Sequence, residues 1–126
     1  MIQFDDIQSL IADAKGPVLS LYLQINPAMR ENQAPTPAWR IWMKNALKKL
    51  EQKTTDNQRD VWQSAHNRAV DYVDNNELTG KALVMFVGEE IERIYSLPLH
   101  LPQPAATFGQ PSVAPLMWLI DEYEPY

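Results

Sequence analysis

KALVMFVGEEIERIYSLPLHLP, residues 81–102, decides how the rest of the chain must be arranged. Ala82 to Val87 form a near-continuous apolar run, the pattern of a central strand buried on both faces. Gly88-Glu89-Glu90 supplies turn chemistry, and IERIYSLP returns as the next strand. Prolines at 98, 102 and 104 make the following segment an edge or a connection, because proline cannot donate to a sheet ladder. Ala106 to Phe108 read as a short final strand.

A hairpin this apolar needs helices to cover it, and the sequence on its N-terminal side provides them. Phe4, Ile7, Ile11 and Ala14 recur at helical spacing, and Gly16-Pro17 stops that helix. Val18 to Ile25 alternate as a strand, with Leu19, Leu21, Leu23 and Ile25 on one face. The other face (Val18, Ser20, Tyr22, Gln24) is partly apolar, so both sides are expected to be covered. Residues 26–37 hold three prolines without periodicity and read as a mobile loop.

Pro37 then suits a helix start, and Trp39, Met43, Ala46, Leu47 and Leu50 make a core stripe ending near Lys53. Thr55 to Gln58 has capping-box spacing for a second helix. Trp62, Ala65, Ala69, Tyr72 and Val73 are its core face, and Asn75, Asn76 and Gly80 break it. The short link predicts an antiparallel helical hairpin, with Trp39 and Trp62 facing the sheet or each other. Ser112 is placed to cap a last helix from Val113 to about Tyr123, with Leu116, Leu119, Ile120 and Tyr123 inward. The predicted order is α-β-α-α-β-β-(β)-α. It is an α+β fold in which a mixed sheet of about four strands is packed by the helical hairpin and by flanking N- and C-terminal helices.

Composition narrows the chemistry. The 126 residues suit one domain, and 45% hydrophobic content is ordinary for a globular core. No cysteine is present, so disulfides, zinc–thiolate sites and thiol nucleophiles are excluded. The start, MIQFDDIQSL, lacks the basic flank of a secretory signal, and no apolar run is long enough to span a bilayer. These features predict a cytoplasmic protein without membrane contact. The net charge of −5 opposes a strong non-specific hold on nucleic acid, unless cations are concentrated locally.

No catalytic constellation is visible. His66 falls between Trp62 and Ala69 and could act as a base, but no Ser or carboxylate completes a triad, and a semi-buried structural histidine is the simpler reading. His100 sits in the proline-rich segment, and two histidines without H-E-x-x-H spacing give no metal site. Glu89, Glu90 and Glu92, like Asp121, Glu122 and Glu124, read as solvated turn and terminal acids. No cofactor is expected, since four glycines leave no phosphate-cradling motif.

Cations are indeed concentrated. Arg40, Lys44, Lys48, Lys49 and Lys53 are five of the eleven basic residues, and Glu51 is the only acid among them. Such a ridge could follow a phosphate backbone; the competing reading is an ordinary solvated helix face. No aromatic residue interleaves its exposed side, which argues against base stacking there.

Three segments carry a resemblance: GPVLSLYLQINP (16–27), GKALVMFVGEEIERIYSLPL (80–99) and FGQPSVAPLMWLIDEYEPY (108–126). With the helix pair between the first two, the chain from about residue 16 onward resembles the N-terminal domain of the bacterial relatives of archaeo-eukaryotic class I peptide release factors. The resemblance implies a non-catalytic module of a longer, multidomain protein, associated with ribosomes or tRNA in translation termination or ribosome rescue. Two motifs depart from the family. The hairpin tip, Asn-Ile-Lys-Ser in codon-reading members, here follows Lys53 as Thr54-Thr55-Asp56-Asn57. A second decoding motif, Tyr-x-Cys-x-x-x-Phe, falls on Ala105, Thr107 and Pro111 and matches at none. The Gly-Gly-Gln of peptidyl-tRNA hydrolysis belongs to a following domain, and Gly109-Gln110 does not replace it. The alternative is a protein-interaction domain that docks on a neighbouring domain of the same protein or forms a homodimer.

Overall fold

The computed structural model of the chain describes residues 4–117. The elements are α1 (Phe4–Asp13), β1 (Val18–Gln24), α2 (Ala38–Lys53), α3 (Arg59–Asn75), β2 (Ala82–Gly88), β3 (Glu92–Leu97), β4 (Ala105–Gly109) and the helical residues 114–117, here α4. This is the α+β order read from the sequence. The rest of the last predicted helix, with Leu119, Ile120, Tyr123 and the acids at 121, 122 and 124, lies outside the described residues.

One sheet runs in the order β3-β2-β1-β4. The expectation of a mixed sheet is corrected, because all three pairings are antiparallel. The connection explains this. One crossover helix would return the chain parallel to β1, but two antiparallel helices bring it back to the end it left, so β2 runs opposite to β1. The 98–104 segment then carries the chain from one edge of the sheet to the other. Leu101 is buried, and its carbonyl accepts a hydrogen bond from Gln24 Nε2.

Alternation along β1 and β2 builds two cores. Leu19, Leu21, Leu23, Leu83, Met85 and Val87 pack under α2 and α3, with Met43, Leu47, Trp62, Ala65, Ala69 and Val73. Val18, Tyr22, Val84 and Phe86 face the other way, against Ile7 and Leu10 of α1 and Leu116 of α4. Trp62 is fully buried and meets the edge of Phe108 at 5.2 Å between centroids. Trp39 is only half-buried, and the Arg40 guanidinium lies over its ring at 5.0 Å. The two indoles therefore do not share one environment.

Polar groups on the α1 side of β1 fasten the end of the described chain. Ser20 Oγ accepts from the Ser112 amide at 3.1 Å, and the Tyr22 hydroxyl donates to the Ser112 carbonyl. Burial pushes the Tyr22 phenol far above the usual tyrosine range, with a backbone hydrogen bond at Leu116 opposing it. Two arginines do similar work at β3. Arg93 reaches the Asp6 carbonyl, Ser9 Oγ and Asp13 on α1 at 2.6–3.1 Å. Arg68 of α3 reaches the Gly88 carbonyl at 2.6 Å, the Ile91 carbonyl at 3.2 Å and Glu92 at 3.1 Å, holding the β2–β3 turn.

The 26–37 loop, expected to be mobile, contains a 3₁₀ turn at Arg30–Gln33 tied down by one side chain. Asn32 Nδ2 donates to the carbonyls of Gln24 and Asn26 at 2.9 and 3.0 Å, and its Oδ1 accepts from the Trp39 amide at 3.2 Å. A single asparagine thus satisfies two carbonyls at the end of β1 and a first-turn amide of α2.

Candidate nucleic-acid interface

The two long helices are tied at both ends. Arg40 Nη1 at the start of α2 meets Asp74 Oδ1 near the end of α3 at 2.7 Å. Trp62 Nε1 at the start of α3 donates to Glu51 near the end of α2 at 3.3 Å. These contacts make the pair an antiparallel hairpin, whose inner stripe is spent on the sheet. The basic residues are left on the outside: Lys44, Lys48, Lys49 and Lys53 are exposed, and Arg40 is half-buried.

Arg40 differs from the lysines. It is already engaged by Asp74 and by the Trp39 ring, so part of its charge serves the hairpin itself. None of the four lysines has a carboxylate within ion-pair distance among the described residues. The ridge is also not one line. At about 100° per residue, Lys49 stands roughly 140° around the helix from Lys44. Arg40, Lys44 and Lys48 rim a groove between α2 and α3, which Lys49 and Lys53 do not line.

That groove brings together residues the sequence reading kept apart. His66 of α3 lines it beside Lys44 and Lys48 of α2. The imidazole is half-buried, tilted on the Trp62 ring at 5.8 Å, and its Nδ1 lies 3.2 Å from Asn67 Oδ1. Two carboxylates share the groove with it, but Asp74 is paired with Arg40 and Glu51 accepts from the Trp62 indole, which leaves His66, Lys44 and Lys48 as its binding contacts. The helical spacing of His66 to Val70 and Val73 carried that signal, but only the antiparallel pairing sets them opposite Lys44.

The hairpin tip is locally satisfied. Thr54 Oγ1 donates to the Leu50 carbonyl at 2.9 Å, and its amide donates to the Glu51 carbonyl at 3.2 Å. The expected capping box does not form. Thr55 Oγ1 donates to Asn57 Oδ1 and leaves the start of α3 to a 3₁₀ turn at Asp56–Gln58, which has no side-chain cap. Asp56 projects fully into solvent, with Arg59 3.7 Å away. An exposed acid at the tip weakens it as a phosphate contact and leaves the flanks of α2 as the better cationic surface.

Aromatic surface is present near α2 after all. Trp39 and Trp42 line a smaller hollow of about 260 Å³ with Met29 and Pro104, where the 26–37 loop meets the helix. At the opposite end of the sheet, Ile11, Pro17, Gln58 and Pro111 line an uncharged hollow of about 640 Å³. No group of three metal-ligating side chains occurs among the described residues. Nor is any described helix long and apolar enough to cross a membrane. Compared with protein-family models and with curated proteins, the sequence matches none.

Proposed function

We propose that the chain is a non-catalytic, RNA-binding module of a cytoplasmic release-factor-like protein, acting on ribosomes or tRNA in termination or rescue. The observation that carries this reading is the set of four exposed lysines on α2, without acidic partners among the described residues, in a chain of net charge −5. Local charge of one sign on an acidic protein selects for a polyanion held by a defined face. The family resemblance supplies the ribosomal context. The unmatched tip and second decoding motif support a role other than stop-codon reading.

Fluorescence anisotropy with labelled tRNA, and co-sedimentation with ribosomes, test it. Binding should weaken steeply with salt, each lost lysine contact lowering the log–log slope by about one. Lys44→Glu/Lys48→Glu should cut affinity and flatten that slope by about two. Unchanged affinity in the double variant would end the reading. The uncharged hollow at Ile11, itself half-exposed, favours a second role in docking a neighbouring domain or a second copy. Sedimentation of the chain with Ile11→Asp would separate that role from RNA binding.

A further inference from the structure

We infer that the groove between α2 and α3 is a binding site for a small amphipathic anion, a single apolar chain with a carboxylate or phosphate head. The groove encloses about 330 Å³, at the lower end of the roughly 300–1,000 Å³ found for ligand pockets. It runs from the Arg40–Asp74 pair to Glu51, which along a helix rising ~1.5 Å per residue is roughly 16 Å. Its floor is aliphatic: Met43 and Leu47 from α2, Val70 and Val73 from α3. Its rim is cationic and only partly compensated. Asp74 is neutralised by Arg40, and Glu51 accepts from the Trp62 indole. Lys44 and Lys48 remain without an acidic partner among the described residues.

Each feature narrows the ligand. Met43, Leu47 and Val73 are almost fully buried, so only a narrow apolar strip is open between the helices, too little to seat a protein helix. Four aliphatic side chains offer nothing to a bare inorganic anion, and two unpaired ammonium groups beside them select against a neutral or cationic chain. His66 adds a ring nitrogen at the same wall, since its Nδ1 is engaged with Asn67 and its Nε2 has no partner among the described residues. The inference does not rest on RNA binding, although both use Lys44 and Lys48.

Titration calorimetry with decanoate and decyl phosphate tests it, with decanol, acetate and inorganic phosphate as controls. Both chain-bearing anions should bind, the short anions should not, and the stronger of the two identifies the head group. Lys44→Glu/Lys48→Glu should weaken the anions at least about tenfold, the equivalent of about 1.4 kcal/mol, while leaving decanol unaffected. Val70→Phe, at a half-exposed position, fills the slot without changing charge. It should abolish binding of the chain compounds and leave any tRNA binding intact. Decanoate and decyl phosphate that both fail to bind, or that bind equally well to Val70→Phe, would overturn the site. Loss of tRNA binding in Lys44→Glu/Lys48→Glu alone would bear only on the RNA reading.

Discussion

Trp62→Ala is the substitution with the largest expected consequence, and Trp39→Ala is its internal control. Trp62 has no solvent exposure, packs on Phe108 and is bonded to Glu51, while Trp39 is half-exposed at the hairpin's open end. An aromatic side chain of this size buries about 150–250 Å². At ~25 cal/mol/Å² that area is worth about 4–6 kcal/mol; alanine keeps the Cβ share, so the truncation of Trp62 removes about 3–5 kcal/mol, the range found for Trp→Ala in well-packed cores. Glu51 is exposed and rehydrates, so the lost indole hydrogen bond adds little. Trp39→Ala should cost roughly half as much, about 1.5–2.5 kcal/mol, including a lost cation–π contact of about 0.5–1 kcal/mol. Urea unfolding followed by far-UV circular dichroism reads both, because it does not depend on the removed fluorophore. Equal losses, or a loss under about 1 kcal/mol for Trp62→Ala, would refute the packing of the hairpin on the β1–β2–β4 surface.

Two further outcomes test the other side of the sheet and its turn. Tyr22→Phe removes the donor to the partly buried Ser112 carbonyl and should cost about 1–3 kcal/mol near neutral pH. Because burial raises the folded phenol above its unfolded value of about 10, wild-type stability should hold below that pH and fall as pH rises above it. The gap to Tyr22→Phe should therefore narrow in alkali; a gap independent of pH would contradict the buried phenol. Gly80 has φ +85°, and a Cβ there would sit 2.7 Å from the Leu97 carbonyl oxygen. Gly80→Ala should lose at least about 1–3 kcal/mol in urea unfolding. A loss below about 0.5 kcal/mol would mean the chain enters β2 by another path.

Much of this was legible in the residues. The alternation in Val18–Gln24, the unbroken run Ala82–Val87 and the stripes through Met43 and Trp62 each encode one buried face, and each element formed where its period put it. Local pattern cannot state which strand pairs with which. That β4 joins β1, and not the β3 it follows, depends on Leu101 anchoring a crossover and on Ser20 and Tyr22 gripping Ser112. The same limit hid the groove. Lys44, Val70 and His66 are scattered in sequence and become neighbours only because two helices run antiparallel. The tip departs from its pattern for a different reason: Thr55 has the capping spacing, but Asn57 competes for its hydroxyl.

The place of β1 in the sheet has a consequence for the chain as it is made. This strand leaves the ribosome early, yet its neighbours Ala82–Gly88 and Ala105–Gly109 come much later. Until they arrive, Val18–Leu23 is a greasy ribbon with both edges open, and the helices that will shelter it have no sheet to rest on. Such long-separation pairing slows folding and lengthens the sticky interval. The interval closes only when Gly109 has emerged and the second edge of the strand can pair.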